Sequence, residues 1–82
     1  MIGLHCNFCD RKHKMILFST MREAYRWVYE ALVEAGEIED SEENDVDFDT
    51  VVVEYAETLP TNEFLTFLPV EDLRKARDYE PR

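Results

Sequence analysis

Glycine and cysteine are scarce in this 82-residue chain, with two of each, and no lysine or arginine occurs between Arg26 and Arg74. Two glycines leave almost nothing from which to build a backbone loop that cradles phosphate. No nucleophile elbow and no His-Glu-x-x-His helix occurs either, so the motifs that mark common hydrolases are missing. The chain is not expected to be an enzyme. Two cysteines, Cys6 and Cys9, cannot form the disulfide framework of a small secreted domain. No apolar run approaches the roughly 18 residues of a membrane helix, so no membrane partner is expected. The opening Met1-Ile2-Gly3-Leu4-His5-Cys6 lacks the basic and apolar regions of a signal peptide. These absences together give the expectation of a cytoplasmic setting.

What is present suits one small folded domain over residues 1–82. Hydrophobic residues make up 45% of the chain and aromatics 12%, enough for a core and too much for wholesale disorder. A domain of this size has a modest margin of stability, on the order of 5 kcal/mol. A metal or a second subunit would add usefully to that margin.

Residues 1–6 and 14–18 read as two short strands around a polar, cysteine-containing turn. Thr20-Met21-Arg22-Glu23 fits a capping box, and the helix it opens should run to Ala35, with Gly36 in the left-handed position beyond its end. Met21, Ala24, Tyr25, Val28, Ala31, Leu32 and Ala35 fall on one side of that helix, flanked by Trp27 and Tyr29. The charged residues and Val33 fall on the other. The aromatics at this spacing read as core and core margin, and Trp27 or Tyr29 would become a binding anchor if exposed beside the carboxylates. Residues 37–44 read as an acidic loop. From Asp45 the alternation Asp-Val-Asp-Phe-Asp-Thr leads into Val51-Val52-Val53, which reads as a strand to Tyr55. Residues 60–62 mark a turn, 64–68 a partner strand, and Pro69 the start of a short terminal helix. The expected class is α+β: a small antiparallel sheet with one long packed helix and a short C-terminal helix, in the order ββαββα.

The net charge is −10 and its source is regional. Residues 37–57 hold ten acids and no base, while the segments on either side nearly balance. An acidic run is ordinarily a solvated face that keeps a protein soluble. On a strand, however, Asp45, Asp47 and Asp49 would line one face at roughly 6.6 to 6.8 Å intervals, close to the spacing of phosphates along a nucleic-acid strand. Glu30, Glu34 and Glu37 would extend the field at the helix end, and Glu54 would support it. Fixed carboxylates repel one another, and a partner that supplies cations relieves the repulsion.

Glu37, Glu39, Asp40, Glu42, Glu43, Asp45, Asp47 and Asp49, with the size and charge of the chain, resemble the small acidic nucleic-acid mimics, many of them phage-encoded inhibitors of CRISPR effectors or restriction enzymes. The resemblance covers about a quarter of the chain and has no signature motif. It implies an inhibitor that presents these residues to a basic, nucleic-acid-binding protein, without binding nucleic acid itself, as a monomer or homodimer. A basic patch, Arg11-Lys12-His13-Lys14, departs from that pattern and could touch phosphate directly.

The Cys6-Asn7-Phe8-Cys9 turn followed by His13 offers three ligands for one structural zinc. The fourth ligand is missing, and His5 points away from Cys6 if both lie on a strand. Reduced cysteines packed as small apolar residues, or a redox pair, fit the same residues. A zinc-stabilised adaptor that binds protein through its hairpin and aromatic helix is the alternative to the mimic.

Overall fold

The computed structural model describes residues 1–9 and 11–69, with the side chains of residues 13 and 14 excepted. Strands β1 (Ile2–Phe8) and β2 (Arg11–Phe18) form an antiparallel hairpin. Helix α1 (Met21–Glu34) follows, then two shorter helices, α2 (Glu42–Val46) and α3 (Phe48–Glu57), and strand β3 (Phe64–Pro69). Among the described residues the sheet has three strands in the order β2-β1-β3, with both pairings antiparallel. The class is α+β, as the sequence implies. No helix among the described residues is long and apolar enough to cross a membrane.

The hairpin is longer and tighter than its sequence suggests. β1 continues through Cys6 to Phe8 and β2 begins at Arg11, so Cys6 lies within a strand and only Cys9 belongs to the turn. Cys9 has φ 47, a left-handed conformation unusual for a non-glycine residue. A bulge shifts the register between Leu4, which pairs with Ile16, and Cys6, which pairs with His13.

Alternation along β1 puts Leu4, Cys6 and Phe8 on the face that meets the helices, and all three are fully buried with Ile16 and Phe18. α1 covers that face with Ala24, Val28, Tyr29, Ala31 and Leu32. Both ends of α1 form as the sequence implies. Thr20 Oγ1 accepts from the Glu23 amide at 3.2 Å, and the Glu23 carboxylate reaches back to the Ser19 amide at 3.1 Å, one residue earlier than a capping box requires. At the other end the Gly36 amide donates to Val33 and the Glu37 amide to Leu32, the paired bonds of a Schellman motif, with Gly36 at φ 77. Val33 is half-buried rather than exposed, and Ala35 is exposed rather than buried.

The strand expected over residues 45–55 is instead helix, and this corrects both the element order and the face on which its residues lie. The observed order over the described residues is ββαααβ. Phe48, Val51, Val52 and Tyr55 recur at the i, i+3, i+4, i+7 spacing of a helix that packs one side, and α3 lies against α1 with Phe48 and Val52 buried. Val46, which alternation would send into the core, is 68% exposed. Asp45, Asp47 and Asp49 therefore do not line a strand face. Ser41 caps α2 by accepting from the Asn44 amide at 3.1 Å, so a helix begins inside the segment that reads as loop. The short C-terminal helix expected from Pro69 lies outside the described residues beyond Pro69 itself, which ends β3.

Candidate interaction surface

Arg26 is the last base before the acidic segment, and the fold uses it to fasten that segment down. Its guanidinium donates to Asp45 Oδ1 at 2.6 Å and to Glu30 Oε1 at 3.2 Å, and lies over the rings of Tyr29 (5.1 Å) and Phe48 (5.3 Å). The bond to Asp45, followed by the one to Glu30, raises its pKa against the opposing effect of burial. The Tyr29 hydroxyl donates to Asp40 Oδ1 at 3.2 Å and ties the α1–α2 connection to the same point. Burial, then Asp40, pushes that hydroxyl's pKa up.

The remaining acids stay in water. Glu37, Glu39, Glu42, Glu43, Asp47, Asp49, Glu54 and Glu57 are all exposed. Among the described residues the ion pair made by the 37–57 segment is that of Asp45 with Arg26. On α1, Glu34 pairs with Arg11 at 2.9 Å, and Arg11 also lies over Trp27. The basic patch is thus partly engaged with the body of the protein at Arg11, while Lys12 is exposed.

Helix dipoles divide these carboxylates into two groups. Glu42 and Glu43 in the first turn of α2, and Asp49 in the first turn of α3, sit where negative charge stabilises a helix. They have a structural reason to be acidic. Glu54 and Glu57 sit at the other end of α3, and Glu30 and Glu34 at the end of α1, where the helix already presents partial negative charge. Neither helix carries a base in its last turn. Each such placement costs about 0.3 to 1 kcal/mol when exposed.

The ends of α1 and α3 open on a shared cleft of about 600 Å³, lined by Asn7, Cys9, Glu37, Tyr55, Thr58 and Glu63 among others. The Schellman turn delivers Glu37 to it. Cys9 Sγ is in hydrogen-bond contact with the Tyr55 hydroxyl at 3.4 Å, and the Cys9 amide donates to Glu63 Oε1 at 3.1 Å. Burial, then Cys9, Glu37 and Glu63, drives the Tyr55 pKa well above the ordinary tyrosine value. Among the described residues the cleft is lined by two carboxylates, Glu37 and Glu63, and no basic side chain.

Tyr55 and Glu63 are not legible in the sequence as members of this cleft. The placement of Glu57 with Glu54 at the end of α3 is visible only once α3 is recognised as a helix. Tyr25, Trp27 and Tyr29 behave as core margin rather than as anchors. Tyr25 packs edge-on against Phe67, Trp27 lies against Phe8 and Phe18, and Tyr29 is buried.

Cys6 is fully buried on the inward face of β1, Cys9 Sγ meets the Tyr55 hydroxyl, and the register pairs Cys6 with His13, whose side chain lies outside the described residues. Among the described residues no three His, Cys, Asp or Glu side chains are placed to hold a metal. Cys6 belongs to the buried core cluster with Leu4, Phe8 and Ile16.

Comparison with protein-family models, curated proteins and solved structures finds no match to this chain.

Proposed function

We propose that this protein binds a basic, nucleic-acid-binding protein through the acidic surface of α2, α3 and the end of α1, occupying the place of phosphates as a competitive inhibitor. The observation that carries the reading is the placement of Glu54 and Glu57 at the C-terminal end of α3. The helix holds these carboxylates against its dipole with no base in its last turn and no ion pair among the described residues, an arrangement that costs stability and that a cationic partner relieves. The α3 acids span Asp49 to Glu57, about eight residue steps and so about 12 Å along the axis. Anti-CRISPR and anti-restriction inhibitors of phage are the class this strategy resembles. Glu30, Glu34, Glu37, Glu39, Asp40, Glu42, Glu43, Asp47 and Asp49 extend the field, and Asp45 holds α2 in place through Arg26.

The test is capture of partners from a host lysate on the immobilised chain at low salt, followed by elution with duplex DNA. A competitive mimic releases its nucleic-acid-binding partner to DNA and loses it as salt rises, because the attraction is screened. Retention that DNA does not displace contradicts the proposal.

A further inference from the structure

Hydrogen-bond acceptors outnumber donors in the cleft at the ends of α1 and α3. Glu37 is exposed, and among the described residues its carboxylate makes no ion pair. Glu63 accepts from the Cys9 amide through one oxygen, which leaves the other without a hydrogen bond among the described residues. Both carboxylates bear on the Tyr55 hydroxyl, so they converge on one point. The donors are already engaged. The Thr58 hydroxyl donates to the Tyr55 carbonyl at 2.8 Å, and Asn7 Nδ2 to the Asn62 carbonyl at 2.9 Å. The C-terminal ends of two helices without a base in their last turns add partial negative charge.

The cleft lies at the end of the sheet away from the last described residue. Asn7 pairs with Phe64 and Ile2 with Pro69, so roughly 17 Å of β3 separates the two ends. Glu37, Thr58 and Asn62 on its rim are exposed, so solvent reaches it.

We propose that this cleft takes the guanidinium of an arginine presented by the basic partner, held between Glu37 and Glu63 beside the Tyr55 hydroxyl. The source of that arginine rests on the proposed function. A guanidinium offers five donors in a planar fork and can bond two carboxylates at once, whereas a lysine ammonium is a compact point charge. Leu59 and Pro60 in the same lining give the methylene stem an apolar wall. The volume of about 600 Å³ is that of an ordinary ligand site and exceeds the needs of one side chain, so flanking backbone fits as well. An anion would meet two carboxylates and two helix C-termini, which disfavours phosphate here.

The experiment is an amide NMR titration of the full chain with a capped Gly-Arg-Gly peptide, beside its lysine and citrulline counterparts. Citrulline keeps the shape of arginine without the charge. Saturable shifts at the amides of Asn7, Cys9, Asn62 and Glu63 are expected, with a dissociation constant on the order of 1 mM. The lysine peptide should bind more weakly and the citrulline peptide not at all. Glu37→Gln, and Glu63→Gln, which keeps an acceptor for the Cys9 amide, should each weaken binding about tenfold. Shifts confined to α3, equal binding of the citrulline peptide, or unchanged affinity in the folded variants overturns the proposal. Free L-arginine that binds more tightly than the capped peptide overturns the assignment to a protein side chain. Should Glu63→Gln fail to fold, Glu37→Gln decides. Failure of the proposed function reads differently. Peptide bound in the cleft with no DNA-displaceable partner captured contradicts that function alone, and a captured partner with no peptide in the cleft contradicts this inference alone.

Discussion

Arg26 holds Asp45 through a 2.6 Å ion pair, and this contact joins the long helix to α2 within the acidic segment. The same guanidinium rests on Tyr29 and Phe48, so charge and ring contacts converge on one side chain. Each contact alone is small, because the Arg26 side chain is 39% exposed and solvent screens it. Arg26→Gln is expected to cost about 1 to 2 kcal/mol, the combined scale of an exposed ion pair and partly hydrated cation–π contacts. Urea denaturation measures the cost, and the loss should shrink as salt is added.

Gly36 terminates α1 at φ 77, and a Cβ built there meets nothing within 4 Å. The penalty for Gly36→Ala is therefore conformational and free of steric clash. It is expected at about 1 to 2 kcal/mol, the cost of a left-handed conformation for an L-residue. Thermal or denaturant unfolding checks it, with the far-ultraviolet spectrum unchanged.

The three consecutive valines of α3 distinguish helix from strand by mutation. In a strand Val51 and Val53 would share a face and Val52 would lie on the other. In the helix Val52 is fully buried and Val53 is 42% exposed. Val52→Ala is expected to cost about 2 kcal/mol through lost burial and the cavity left behind. Val53→Ala is expected to be neutral or slightly stabilising, since alanine is the better helix former.

Those valines also explain how much of the fold could be read in the sequence. α1 was legible because its caps, its apolar stripe and Gly36 all point to the same element. The segment from Asp45 to Tyr55 carried two periodicities at once. Alternation over Asp45-Val46-Asp47-Phe48-Asp49 and the β-branched triplet argued for a strand, while Phe48, Val51, Val52 and Tyr55 already had helical spacing. Packing against α1 decided between them, and packing partners are not visible in a local window. Ser41 followed by Glu42 and Glu43 was a readable helix start that resembled a turn. The acidic residues were legible as a charge excess, but their relation to the helix ends was not, because it depends on which elements form.

Tyr55 gives the fold a pH dependence. Burial, then Cys9, Glu37 and Glu63, raises its pKa in the folded state. The contribution of Tyr55 to stability is fully present below the unfolded value of about 10. It is lost as pH rises from there through the folded value, because the unfolded chain releases its proton first. Melting temperatures measured from about pH 9 upward should fall less steeply in Tyr55→Phe than in wild type. Some slope remains, since the Tyr29 pKa is raised as well.

The double reversal Glu54→Lys and Glu57→Lys separates stability from binding most directly. Lysines at the C-terminal end of α3 complement its dipole, so the variant should melt at a higher temperature than wild type, by a gain of about 0.3 to 1 kcal/mol per residue. The same variant should lose capture of the DNA-displaceable basic partner. A variant that is both more stable and inactive places the function in those two carboxylates. A variant that retains the partner at wild-type affinity contradicts the account.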